Sequence, residues 1–438
     1  MNMPYSPNPS PAFTYPRSNP HRLGARRSDI ALPLAALAVA LAPINILRLD
    51  QVYFTASDAA SLLAFWATVQ SRSIRLDTLG PGAMLWNIGL ALLGGMLFLS
   101  SLLFGDVTRG VILWAQYLFA YLVVALVVLS RPPGDVPVLV KVYLASIAIM
   151  CLHGIYVIDI LHETNTIYVS GNGRLQGFME RENECSAVIA MTVPILLWAT
   201  LSGHIRRRWA VLLLLLYSYA IVLTGSNTGL FSLILAIVLF TVFLGSWRHT
   251  ATLIVGGAAT AAIVLTWGSA FLPEVFQHRV LGALESGDID QAGTFTGRLA
   301  LIREALGMTD QTMLFGYGAD QFRVISVNHA PVHDTYLLLW TEAGFPGMLG
   351  LLLMLSGGAI AALGAWPIER ERTAAVAGLT SVLLFSLALN AMPHVYGRFF
   401  AVPLILGLAP ALAAQRQSTS TSGRRSHRFR GAASLTGP

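Results

Sequence analysis

The sequence predicts an all-α, polytopic integral membrane protein with about twelve transmembrane helices and a large helical extracytoplasmic loop. Three observations carry this reading. Of 438 residues, 55% are hydrophobic and only 11% are charged, about half the roughly 25% of ordinary globular chains. Mean hydropathy is +0.64. Apolar stretches close to the ~20 residues needed to cross ~30 Å of hydrocarbon recur from Ile30 to Ala414. Together these exclude a soluble enzyme, a disordered chain and a disulfide scaffold. They also exclude a transmembrane β-barrel, whose strands alternate in polarity.

The spans fall in order at 30–47, 54–70, 83–104, 108–130, 138–160, 185–202, 209–224, 227–246, 250–271, 335–365, 374–392 and 399–414. The second is the weakest, interrupted by Asp58 and Ser61. The seventh and eighth are one apolar stretch cut by Thr224-Gly225-Ser226-Asn227, which reads as a tight turn. The domain plan is one membrane domain, 30–414, between tails at 1–29 and 415–438. Both tails are rich in Pro, Ser, Thr, Gly and Arg and are expected to be disordered. Their arginines set topology or touch anionic headgroups. No cleavable signal peptide is expected, because the first apolar run begins only near Ile30, behind that tail. Cys151 and Cys185 are too few for a disulfide framework and are read as inert packing.

The net charge of +6 is not a nucleic-acid signal here; what informs is where the basic residues sit. With the N-terminus cytoplasmic and sides alternating, the inside segments hold most of the 28 Lys and Arg. The outside segments hold only Arg48, Arg109, Arg174, Arg181, Arg279, Arg298, Arg303, Arg323 and Arg398. Both termini are therefore expected in the cytoplasm. The outside exceptions concentrate in two loops, about 161–184 and 272–334. The second is the longest extramembrane segment, and its helical pattern marks it as functional rather than linker.

Three constellations in these loops carry chemistry. Around Thr296–Leu306, at about 100° per residue, Arg298 falls within the arc of Leu301, Ile302, Ala305 and Leu306, while Arg303 and Glu304 fall outside it. A guanidinium on a packed face needs an anionic partner: a loop acid such as Glu285 or Asp288, the interface by snorkelling, or a substrate. The second is His329-Ala-Pro-Val-His333-Asp334-Thr-Tyr336. Pro331 puts a helix start near His333 or Asp334, and the run breaks again at Gly344-Phe-Pro346-Gly347. His333 there is a capping or interfacial imidazole, or a proton acceptor suited to neutral pH. Pro331 spoils a shared helical face for His329 and His333, so no metal site is expected. The third is Arg174-Leu-Gln-Gly177-Phe followed by Glu182-Asn183-Glu184, where the two glutamates neutralise Arg174 and Arg181 or share a site with them. The acidic run Glu285–Asp290 lacks the remaining ligands of a calcium loop and reads as a solvated linker.

Arginines and a histidine on one membrane face match a phosphate ligand, since guanidinium forks bind its oxygens bidentately. A bilayer-anchored diphosphate ester would lie at that depth. Arg298 and His333 are the candidate catalytic residues, and Arg174, Arg181, Arg279, Arg303, Arg323 and Tyr336 the candidate substrate contacts.

These motifs resemble the O-antigen ligase and O-antigen polymerase superfamily of bacterial membrane glycosyltransferases. Thr224-Gly-Ser226-Asn-Thr-Gly229 is similar to the family's Thr-Gly-Ser-Arg-x-Gly. Gly297-Arg298, Gly316-Tyr-Gly318, His333-Asp-Thr-Tyr336-Leu and Glu342-x-Gly344-Phe-Pro346-Gly347 follow in the family's order, and Arg174-x-x-Gly177-Phe with Glu182-Asn183-Glu184 stands upstream. The resemblance implies that Arg298 contacts the diphosphate of an undecaprenyl-diphosphate-linked glycan donor. It implies that His333 activates an acceptor hydroxyl, that Arg174 is a further phosphate or sugar contact, and that transfer is inverting and metal-independent, with no cofactor. The acceptor is another glycan or lipid A-core, with the polymerase slightly preferred. The implied setting is the bacterial inner membrane, with the site facing the periplasm among other polysaccharide assembly proteins. Two positions depart from the pattern: Asn227 replaces the usual Arg, and Asp334 replaces the usual Asn and is expected to raise the His333 pKa. The competing classes are a transporter of a small solute or anion and a structural subunit of a glycan-export complex. The near absence of charge within the spans speaks against transport.

Overall fold

The computed structural model describes residues 30–433 except 50, 278, 280–281, 283–285, 288–294 and 369–370. The segment 1–29, most of Glu285–Asp290, and the proposed acidic partners Glu285 and Asp288 lie outside the described residues. Every expected span holds a helix: α1 (Ala31–Leu41), α2 (Ala56–Gln70), α3 (Ala83–Phe104), α4 (Val107–Leu129), α5 (Val136–Ile155), α6 (Glu182–Leu201), α7 (Arg207–Thr224), α8 (Asn227–Leu244) and α9 (Trp247–Phe271). After the loop helix α10 (Phe295–Met308) come α11 (Thr335–Leu363), α12 (Arg372–Ala388) and α13 (Arg398–Ala433). The protein is an all-α polytopic membrane protein.

Among the described residues, nine helices, α3–α8 and α11–α13, are long and apolar enough to cross a membrane. The first two expected spans fall short: α1 has 11 residues and α2 has 15, so at 1.5 Å per residue α1 rises only about 16 Å. The reason lies in the chain between them. Arg48–Leu49 pairs antiparallel with Phe54–Thr55, and Thr55 opens α2 with a reciprocal capping box on Asp58. That spends residues 42–55 on a cap over one end of the bundle. Of α9, with 25 residues, several side chains fall outside the described set. The last helix continues past 414, the expected end of its span, to Ala433.

Close helix packing rests on glycine. Along α3 and α11, a Cβ at Gly89 would lie 2.4 Å from the Gly350 carbonyl oxygen, and one at Gly357 would lie 2.6 Å from the Trp86 nitrogen. Without side chains the two backbones touch, which is how helices gain van der Waals contact where lipid gives no hydrophobic drive. Further along, α11 is interrupted at Gly344 (φ 78°, ψ 169°), the break expected from Gly-Phe-Pro-Gly.

The connections alternate between the two ends of the bundle. At one end Arg416 donates to the carbonyl of Thr78 (2.8 Å) and Arg75 N to Ser130 Oγ (3.1 Å). At the other end meet the 42–55 cap, the loop 161–181, the turn after α7, the loop 272–334 and the segment 392–397, through contacts such as Asn45 Nδ2 to Glu180 Oε1 (3.1 Å) and Arg174 Nε to the Thr224 carbonyl (2.7 Å). All the exceptional arginines belong to segments of that second end.

Candidate functional site

Arg174 is placed by its neighbours' backbone. Gly173 and Gly177 take left-handed φ values of 71° and 62°, which L side chains avoid. Leu175 N donates to the Leu223 carbonyl (3.0 Å), and the Leu175 side chain packs on Gly154, where a Cβ would lie 2.5 Å from it. The buried Arg174 then lies across the α7–α8 turn. Its Nε donates to the Thr224 carbonyl, Nη2 lies 3.4 Å from Asn183 Oδ1, and Nη1 is 3.6 Å from Glu182 Oε1. A cation on the last carbonyl of α7 also meets the negative end of that helix.

Two distant motifs form this cradle. Gly225 ends α7 at φ 55°, and Ser226 caps α8 by accepting from Gly229 N (3.2 Å) while donating to Asn183 Oδ1 (2.8 Å). Gly229 is obligatory for a plain reason: a Cβ there would sit 2.2 Å from that of Ser186. Asn227 is the first residue of α8.

Arg298 comes from the opposite wall. Helix α10 buries Leu301 and Ala305 against Phe322, Val332 and Leu338, so Arg298 on the same side is half-buried, as the periodicity expects. Its Nε is buried and makes no hydrogen bond among the described residues. Arg303 and Leu306 are exposed, and Glu304 ties the helix down by accepting from Ser326 Oγ (2.9 Å) and Val327 N (2.7 Å).

The electrostatics shows which groups share one space. Burial lowers the Arg174 pKa to about 10, opposed by Glu182 and reinforced by Arg279 and Arg298. Burial and then Arg279 lower that of Arg298. His333 is pushed down to about 4 by burial first, then by Arg298 and Arg181, so it is a neutral imidazole at neutral pH. Arg174, Arg279 and Arg298 thus feel one another's charge, and Arg298 and Arg181 are the cations that act on His333. The expected influence of Asp334 is corrected: its Oδ1 accepts from Leu337 N (2.9 Å) as the N-cap of α11, and His333 is lowered, not raised. A carboxylate occupied by helix N–H groups has little left for its neighbour.

Of the other candidates, Arg181 also acts on His333, while Arg323 and Tyr336 are engaged elsewhere. Arg181 is exposed and precedes α6, Arg323 binds Asp320 (2.6 Å), and the Tyr336 hydroxyl donates to the Ser386 carbonyl (2.9 Å), pinning α11 to α12. Cys151 and Cys185 are buried free thiols.

Beside the arginine cluster lies a cavity of about 310 Å3, lined in part by Arg48, Glu180, Arg181, Asp320, His394 and Arg398. Most of these were not singled out as site residues, though a signal existed. Asp58 interrupts an apolar stretch and Arg398 stands among the outside arginines; the two form a buried ion pair. Glu342 was only a motif letter. It accepts from Phe322 N (3.3 Å) through Oε1 and holds Oε2 3.5 Å from His394 Nε2. Its carbonyl accepts from Gly318 N (2.9 Å), and a Cβ on Gly316 would strike it. Gly316-Tyr-Gly318 and Glu342-x-Gly344 are thus two halves of one lock, which sets Asp320 at the cavity.

A search of curated proteins finds no match to the chain. Residues 209–352, from α7 into α11, match the family described as O-antigen ligase; that stretch contains Thr224-Gly-Ser226, Arg298, His333 and the Glu342 lock, while Arg174 and most of the cavity wall lie outside it. The ordered motifs and this match agree: over about a third of its length the chain is similar to the O-antigen ligase family.

Proposed function

We propose that this protein transfers a glycan from undecaprenyl diphosphate to an acceptor hydroxyl, on the periplasmic face of a bacterial inner membrane. The observation that carries the reading is the half-buried Arg298, whose buried Nε makes no hydrogen bond among the described residues and whose charge acts on both Arg174 and a neutral His333. Arg174 has Glu182, whereas a half-buried Arg298 gains from an anion at its fork, and a diphosphate supplies it. Arg298 and its neighbours hold the phosphate oxygens. The imidazole of His333 takes the proton of the acceptor hydroxyl as its oxygen attacks the anomeric carbon. The bond from that carbon to the phosphate oxygen breaks on the opposite face, and the electron pair leaves with undecaprenyl diphosphate. Guanidinium groups aimed at the departing charge lower that barrier. Bound phosphate also offsets the charges that depress His333, which makes it a better base only when the donor is loaded. Arg303, Arg323 and Tyr336 lie outside this first contact set.

Among acceptors, another lipid-linked repeat unit is preferred slightly over lipid A-core. The test is incubation of the purified protein with a lipid-diphosphate-linked repeat unit, with and without lipid A-core. Long glycan on the carrier identifies a polymerase, and glycan joined to the core identifies a ligase. Uptake of a small solute into liposomes with no glycan transfer would replace the reading by transport.

A further inference from the structure

The cavity beside the arginine cluster has a different chemistry. Three of its four guanidinium groups are paired with a carboxylate. Arg48 pairs with Glu180, Arg323 with Asp320 and Arg398 with Asp58, while Arg181 exerts its charge on Glu184. His394, lowered to about 4 by burial, adds no charge at neutral pH. Such a wall offers many donors and acceptors but little net field. Aromatic faces complete it: Tyr53 and Tyr396 lie 5.6 Å apart, and Phe399 joins them.

A second observation falls on the same cavity. Tyr53 and Asp320, both in its lining, have left-handed backbones at φ 54° and 62°. Asp tolerates that region, whereas a bulky Tyr there is a genuine outlier. Surrounding contacts hold it in place: Arg48 stands over its ring at 4.8 Å, and Arg109 donates to its hydroxyl at 3.4 Å. Strain of this kind persists where the structure over-determines it, often at ligand sites.

Resting on the diphosphate reading above, the geometry points to this cavity as the subsite for an uncharged sugar residue of the acceptor glycan. Hydroxyls of a pyranose match alternating carboxylate and guanidinium partners, and its C–H face matches the tyrosine rings. A volume of about 310 Å3 is at the lower end for small-molecule sites and suits a single residue rather than a chain. Arg181 and Pro331 line this cavity, and Pro331 stands two residues before His333, which puts the subsite next to the proposed base, where an attacking hydroxyl must be.

Two probes separate the subsites on the full-length protein in nanodiscs. One is a short neutral oligosaccharide released from the producing cell's own surface polysaccharide, followed by saturation-transfer NMR. The other is inorganic pyrophosphate, followed by phosphorus line-broadening. Tyr53→Ala and the milder Asp320→Asn should each weaken the oligosaccharide at least tenfold and leave pyrophosphate unchanged. Failure of the wild-type protein to bind the oligosaccharide, or retention of binding in both variants, overturns the proposal. Failure of pyrophosphate alone sinks the diphosphate reading instead. In the transfer assay the variants should raise KM for the acceptor; a rise confined to KM for the lipid-linked donor would assign the cavity to the donor's sugar and overturn the acceptor assignment.

Discussion

Arg298→Met is the sharpest test of the arginine cluster, because the thioether keeps the buried stem and removes only the charge and the fork. Two charge-assisted hydrogen bonds to a phosphate, at about 1.5–3 kcal/mol each, amount to about 3–6 kcal/mol. Lost from the transition state, that is about 10^2- to 10^4-fold in rate. Arg298→Lys keeps a charge but gives up the bidentate fork, so its loss should be about half that in free energy, roughly 10- to 100-fold. The free protein should respond in the opposite direction. Arg298 is half-buried beside Arg279, with a buried Nε lacking a hydrogen bond among the described residues, so neutralising it removes a desolvation cost and a repulsion. The melting temperature of Arg298→Met should stay level or rise while transfer falls. Glycan transfer from a purified lipid-linked donor, read beside a thermal melt of the same preparation, decides it. Wild-type turnover in Arg298→Met would refute the assignment. So would loss of activity accompanied by a large drop in melting temperature, which would show Arg298 to be a structural residue.

The same variant bears on His333, whose pKa Arg298 depresses after burial; with Met at 298 the low-pH limb of kcat/KM should move upward. In the wild-type protein that limb, which reports the free enzyme, should lie near 4, and a limb at the unperturbed 6.5 would remove His333 as the base. Because folding lowers this pKa, the linked stability is present above 6.5 and is lost as pH falls towards 4, a loss that His333→Gln should abolish in a denaturation series. Asp58→Ala leaves Arg398 buried without its carboxylate and should cost about 3–5 kcal/mol; Asp58→Leu with Arg398→Met should recover most of it in a thermal melt. Gly89→Val cannot coexist with the observed approach of α3 to the Gly350 carbonyl, and a melting temperature within a degree or two of wild type would show that this contact is not needed.

The fold was legible because a bilayer leaves few choices. A chain with this hydropathy must close its backbone hydrogen bonds within helices, and each apolar stretch does hold one. What hydropathy does not reveal is length in the folded state. The stretch 30–70 reads as two spans, but Thr55 capping α2 through Asp58 turns the intervening residues into a lid, a decision made by one side chain against an apolar background. The placement of the proposed phosphate contacts was legible in part, because helical period sets Arg298 on the packed side of its helix and Pro331 sets the helix start at His333. The cavity was not, because its wall is drawn from four separate segments. Arg48, Glu180, Asp320, His394 and Arg398 are each unremarkable in their own stretch. Burial is what gives them meaning: Asp58 and Arg398 have relative exposures of 0% and 4%, and neither tolerates that without the other. An acid inside an apolar stretch and an arginine on the outer side were both visible in the chain, and charge neutrality in a dry place required them to meet. The same requirement explains the contrast between the two subsites. Where carboxylates match the arginines, the proposed ligand is a neutral polyol; where the buried Nε of Arg298 makes no hydrogen bond among the described residues, the proposed ligand is an anion.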